Sequence, residues 1–106
     1  MTSRSSSGAL EAVERILNRG GEPDDVLREV VDTLHERAAA WVGIAFVEEG
    51  RLELGPSAGG APPEDHQRYA VHWQGRPIAE LWTSAEADPV LCARVAVIVS
   101  PYCVRS

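Results

Sequence analysis

Residues 41–60 read WVGIAFVEEGRLELGPSAGG. WVGIAFV is apolar at every position, as a strand covered on both sides requires. Glu48-Glu49-Gly50-Arg51 reads as a hairpin turn, with Gly50 free to take positive φ. LEL then alternates, as an outer strand does. Three glycines and three prolines follow in GPSAGGAPPEDH, residues 55–66, where no regular element survives. A second hairpin comes next. Tyr69, Val71 and Trp73 alternate with Arg68, Ala70 and His72. Gln74-Gly75-Arg76-Pro77 turns the chain, and Ile78, Glu80 and Trp82 alternate with Ala79, Leu81 and Thr83. Pairing Trp73 with Ile78 sets Val71 against Glu80 and Tyr69 against Trp82, on one face.

Helical patterns flank this β segment. Leu10, Val13, Ile16 and Leu17 predict a helix over 8–18, which Gly20-Gly21 ends. Pro23 suits a helix's first turn, and Asp24 and Asp25 complement its positive end. Leu27, Val30, Val31, Leu34 and Ala38 complete one stripe, so 23–39 is a second helix. Asp88-Pro89 starts a third, apolar on nearly every side from Val90 to Val99 and interrupted by Arg94. Residues 1–7 are small and polar and are expected to be a disordered tail. Residues 8–106 form one domain, a length ample for a core. The order helix, helix, hairpin, loop, hairpin, helix predicts an α+β fold, an antiparallel sheet with the helices on one face.

Composition narrows the functional classes. The net charge is −6 and the pI about 4.9. An acidic chain repels phosphate backbones, so nucleic-acid binding is not expected. The longest aliphatic run, Val95 to Val99, is far short of the roughly 20 residues that span a bilayer. The N-terminus lacks the apolar segment of a signal peptide, so a cytoplasmic, membrane-free protein is expected. Cys92 and Cys103, placed on one helix, lie roughly 16 Å apart at ~1.5 Å per residue, too far for a disulfide. His66 and His72 are roughly 20 Å apart along a strand at ~3.3 Å per residue and cannot share a metal. Glu64-Asp65-His66 reads as a solvated loop, and His35 suits a helix C-terminus. There is no GxSxG, phosphate loop or HExxH pattern. No metal, cofactor or catalytic residue is expected.

The stretch WVGIAFVEEGRLELGPSAGG resembles the GAF family of small sensory domains, nearest to the subgroup that reduces free methionine-R-sulfoxide. GRPIAELWTSA is similar to that family's penultimate strand and its exit, and AVIVSPY to its terminal helix. The likeness runs over most of residues 8–103, with the segment between LELGP and the second hairpin shortened. It implies a GAF-like sheet, a ligand-binding or regulatory role in signalling, and a homodimer through the terminal helices. Trp41 matches the family's pocket-facing tryptophan. The reductases' next aromatic position is Ala45 here, and their late-strand acids fall on Trp82 and Ser84. Their redox cysteines belong to the middle loops, where this chain has none. Thiol-dependent reduction needs a reactive thiolate and a resolving thiol, so it is only a remote alternative.

The expected ligand surface is Trp41, Tyr69, Trp73, Glu80 and Trp82 on the sheet face opposite the helices, for a small molecule held by the rings, with Glu80 as polar handle. Ala70, Ala79 and Leu81 are expected to face the helices. The competing reading makes these rings core or interface in a pure protein–protein interaction module. The last helix is apolar around its circumference, so either the first two helices flank it completely or its outer side meets a second copy, and the resemblance favours the second copy.

Overall fold

The computed structural model describes residues 6–105. Helix α1 (Ser6–Arg19) and helix α2 (Pro23–Arg37) precede strands β1 (Val42–Glu48) and β2 (Arg51–Ala58). Strands β3 (Gln67–Trp73) and β4 (Arg76–Thr83) follow the loop, then helix α3 (Pro89–Ile98) and a short 3-10 turn, Ser100–Cys103. The protein is therefore α+β, with one antiparallel four-stranded sheet in the order β2-β1-β4-β3. Helix α1 already includes Ser6 and Ser7. The rest of the expected tail, residues 1–5, lies outside the described residues.

Local chemistry sets the element ends. Gly20 and Gly21 both take positive φ between α1 and α2, a region closed to most side chains. Pro23 opens α2 with Asp24 and Asp25 in its first turn, where a missing N–H costs nothing and carboxylates meet the positive dipole end. Asp88 caps α3 by accepting from Val90 N–H at 2.9 Å. Both hairpins close through two residues, Glu49-Gly50 (φ 53° and 78°) and Gln74-Gly75 (φ 54° and 81°). That double positive φ matches the right-handed twist of the strands.

The register of the inner pair is β1 against β4, with Val42 opposite Thr83, Ile44 opposite Leu81 and Phe46 opposite Ala79. On the other side of β4, Tyr69 faces Leu81 and Val71 faces Ala79. These side chains share one face. Val42, Ile44, Phe46, Val71, Ala79 and Leu81 join Val13, Leu27, Val30, Val31, Leu34, Leu91 and Val95 in one buried cluster. Helix α2 lies along β1 and β2, α3 along β3 and β4, and α1 packs on both helices. Helices α2 and α3 thus cover the same face, and α1 lies on those two helices.

The register also corrects the expected division of side chains. Tyr69 pairs with Leu81 and not with Trp82, so it belongs to the helix side, where it packs against the core. Ala70 faces Glu80 on the opposite side. The cause is a bulge. The β3–β4 ladder shifts between Val71 and His72, because His72 pairs with Pro77 and leaves Ile78 extra. A one-residue slip sends every later side chain to the other face. Pro77 offers no N–H to a ladder, and it sits beyond the Phe46–Ala79 pair, where β4 no longer has β1 as neighbour.

Candidate functional site

Away from the helices, Gly43, Trp82 and Arg68 face one another across β1, β4 and β3. Beside them run Ala45, Glu80 and Ala70. Gly43, Ala45 and Ala70 make a low floor on which large rings can lie. Trp41, one residue before β1, lays its indole across Gly43. A Cβ at Gly43 would stand 2.9 Å from the Trp41 ring and 3.0 Å from Leu54, closer than carbon atoms approach, so only glycine admits this packing.

Trp41 is fixed from several directions. Its N–H donates to Ser84 Oγ at 3.1 Å, and its C=O accepts from Ser84 N–H at 2.9 Å. Its indole N–H donates to the Gly60 carbonyl at 3.0 Å. The chain reaches that carbonyl by crossing Trp41 at Gly59, which has φ 108°. A Cβ there would lie 2.4 Å from the Ala40 carbonyl oxygen. The glycines of GPSAGG therefore let the loop press down on Trp41, which is only 2% exposed.

The far end of the loop delivers His66. Its ring stacks on Trp82, centroids 4.6 Å apart and planes 23° apart, and lies 6.0 Å from Trp41. Arg68 Nε donates to His66 Nε2 at 3.2 Å. An arginine can only donate, so Nε2 accepts and the ring proton sits on Nδ1, directed to the Pro63 carbonyl at 2.7 Å. The Arg68 guanidinium lies 4.3 Å from the Trp82 ring centroid and 3.7 Å from Glu80. Trp82 Nε1 donates to Glu80 Oε1 at 2.8 Å.

Of the five expected residues, the structure gathers Trp41, Glu80 and Trp82. Tyr69 is behind the sheet, where burial first, then Cys92 and Asp88, push its phenol pKa up. Trp73 pairs with Arg76 at the hairpin end and follows Tyr69 and Val71 by the alternation of β3. Sequence reasoning missed His66 and Arg68. Glu64 and Asp65 are exposed, but the His66 ring is half-buried. The signal for Arg68 was its cross-strand position opposite Trp82, visible only in the correct register.

The group is closed on itself. Each indole N–H, both His66 nitrogens and the Glu80 carboxylate have partners within the chain. Such a set offers stacking and an ion pair, with no nucleophile beside a base. The thiols lie elsewhere. Cys92 and Cys103 are free and buried. Helix α3 ends at Ile98, and Cys103 belongs to the separate 3-10 turn. Burial pushes both thiols up, Cys103 to about 12, so neither is the exposed, acidified thiol that sulfoxide reduction requires. Among the described residues, no group of three or more His, Cys, Asp or Glu is placed to hold a metal.

Glu86 anchors the same corner. It accepts from Ala40 N–H at 2.7 Å and from Ser84 Oγ–H at 2.8 Å. The Ala40 bond first, then Ser84 and its own backbone N–H, hold its carboxyl below the usual range. A lowered folded pKa contributes stability above the unfolded value, and the contribution is lost as pH falls through the folded value. Glu86→Gln is expected to flatten the acid side of the stability–pH curve below the usual carboxylate range, read from urea midpoints. Parallel curves for the two proteins would refute this role.

No protein-family model matches the chain, and neither the curated proteins nor the solved structures include a significant match.

Proposed function

We propose that this chain is a non-catalytic regulatory module of GAF-like type that works by pairing with a second copy of itself through α3. One observation carries the pairing. Leu91, Cys92, Val95, Ala96 and Val99 are buried, whereas Val90 and Val97, on the opposite side of the helix, are 78% and 62% exposed. With Ala93 between them at helical spacing they form an apolar stripe facing solvent. Arg94 is the sole charge in α3. Two such helices therefore meet without opposing carboxylates, which matters for a chain of charge −6. The GAF-like part rests on the resemblance of WVGIAFV…LELGP and GRPIAELWTSA. It is supported by the element order and by helices that share one sheet face.

Light scattering at micromolar concentration is expected to give twice the chain mass of 11.5 kDa. Val97→Glu is expected to return it to one chain with folding unchanged. A single-chain mass for the unmodified protein would refute the pairing.

A second reading, small-molecule sensing, is favoured by Trp82. Its ring is half-buried, with the Arg68 cation over its face and the Glu80 carboxylate at its N–H edge. A planar anionic ligand would take the place of His66 on the ring, beside the Arg68 guanidinium. Titration with cyclic nucleotides and tetrapyrroles is expected to change tryptophan fluorescence. A flat response across that panel would count against sensing and leave pairing standing.

A further inference from the structure

A second feature lies on the opposite flank, where the start of α2 meets the β1–β2 hairpin. An open cleft of about 460 Å³ is lined there by Asp24, Asp25, Glu48, Glu53, Arg28 and Arg105, with Phe46, Leu54 and Pro56 supplying apolar wall. The cleft already holds one cation. The Arg105 guanidinium lies 3.9 Å from the Phe46 ring centroid and donates to Asp24 Oδ1 at 2.8 Å. An aromatic face together with a carboxylate is a recognition set for a planar cation. Arg105 satisfies only part of it. Asp25 and Glu48 have no ion-pair partner among the described residues, and Glu53 reaches only Arg51, at 3.7 Å. Without Arg105 the lining carries four carboxylates against the single cation of Arg28.

We propose that this cleft is a docking groove for an arginine-bearing segment of a partner protein, in which Arg105 is the resident occupant that an incoming arginine displaces. The guanidinium seated on Phe46 shows the chemistry the groove accepts, and the surplus of carboxylates favours a segment with more than one cation. Arg105 is tethered beside the groove and so competes at high effective concentration. The partner therefore binds against an internal competitor, and its apparent affinity is weakened by the fraction of time Arg105 is in place.

The test uses the full chain and a short capped peptide with two arginines separated by glycine, followed through backbone amide shifts. Shifts confined to Asp24, Asp25, Glu48, Glu53 and Gly55 are expected. Arg105→Ala is expected to bind about fivefold or more tightly than the unmodified chain. Asp24→Asn in that background is expected to lose most of the gain. The same peptide with lysines is expected to bind more weakly, since an ammonium lacks the planar fork. Equal binding of the lysine peptide would overturn guanidinium recognition. So would the absence of localised shifts in Arg105→Ala. A fall in solution mass on Arg105→Ala would make a second copy the occupant and overturn the partner reading. Loss of mass on Val97→Glu alone bears only on α3.

Discussion

Trp41→Ala is expected to cost the fold about 3–5 kcal/mol, a large part of the ~5–15 kcal/mol that holds a domain of this size together. The indole is nearly sealed from water and lies across Gly43. Removing it empties the space beneath the loop and orphans the Gly60 carbonyl, which accepts from Trp41 Nε1. Loop 59–66 then loses what holds it down, and the stacking of His66 on Trp82 loosens with it. Trp41→Phe should fall between, because it keeps most of the ring and forfeits one hydrogen bond worth about 0.5–1.5 kcal/mol. Urea unfolding checks both. A loss below about 1 kcal/mol for Trp41→Ala would mean that the loop closes without the indole, and the account of residues 55–60 would fail.

Leu81→Ala should destabilise by about 2–5 kcal/mol, whereas its neighbour Trp82→Ala, although it deletes a larger side chain, should cost less than about 2 kcal/mol. Leu81 is fully buried between Ile44 and Tyr69, beneath α3. Trp82 keeps part of its ring in solvent, and truncating it leaves Arg68 and Glu80 free to hydrate. The ranking reverses what side-chain volume alone would give, because burial sets the size of the cavity. Thermal and urea unfolding of the two variants side by side would decide it. A Trp82→Ala loss equal to or above that of Leu81→Ala would place the outer rings in the main core.

The two faces of the sheet differ in how far they could be read in advance. WVGIAFV announced a central strand because all of its residues are apolar, and β1 lies between two neighbours in the sheet. Val42, Ile44 and Phe46 face the helices. Gly43 and Ala45 stay small on the far side, where Trp41 and Trp82 need room. Asp88-Pro89 marked the start of α3, since a side-chain acceptor followed by a residue without N–H suits a helix entrance and little else. The encircling apolar pattern of α3 was legible too. Which part of it stays in solvent, Val90 and Val97, depends on where α1 and the sheet lie, and that is a tertiary fact.

The candidate site was harder. The sequence places Glu80 and Trp82 on a common face, because two residues on one strand point the same way. It does not say which residues of β3 join them. Pairing Trp73 with Ile78 assumed a four-residue turn and an even ladder. The turn is two residues long, which by itself leaves the grouping of faces unchanged. The bulge at Ile78 changes it, exchanging Tyr69 for Arg68 beside Trp82. His66 is missed for a related reason. Loop residues have no periodicity, and only the drape of 59–66 over Trp41 carries that ring to Trp82.

The residues alone thus determined the order of the elements and the apolar side of α1 and α2, since these follow from spacing along one stretch of chain; the extension of β2 through residues 55–58 and the solvent side of α3 did not follow from it. The tertiary structure decided the company each side chain keeps across strands and loops. That choice turns on one unpaired residue and on a loop crossing at Gly59, and both are settled by contacts between segments distant in sequence.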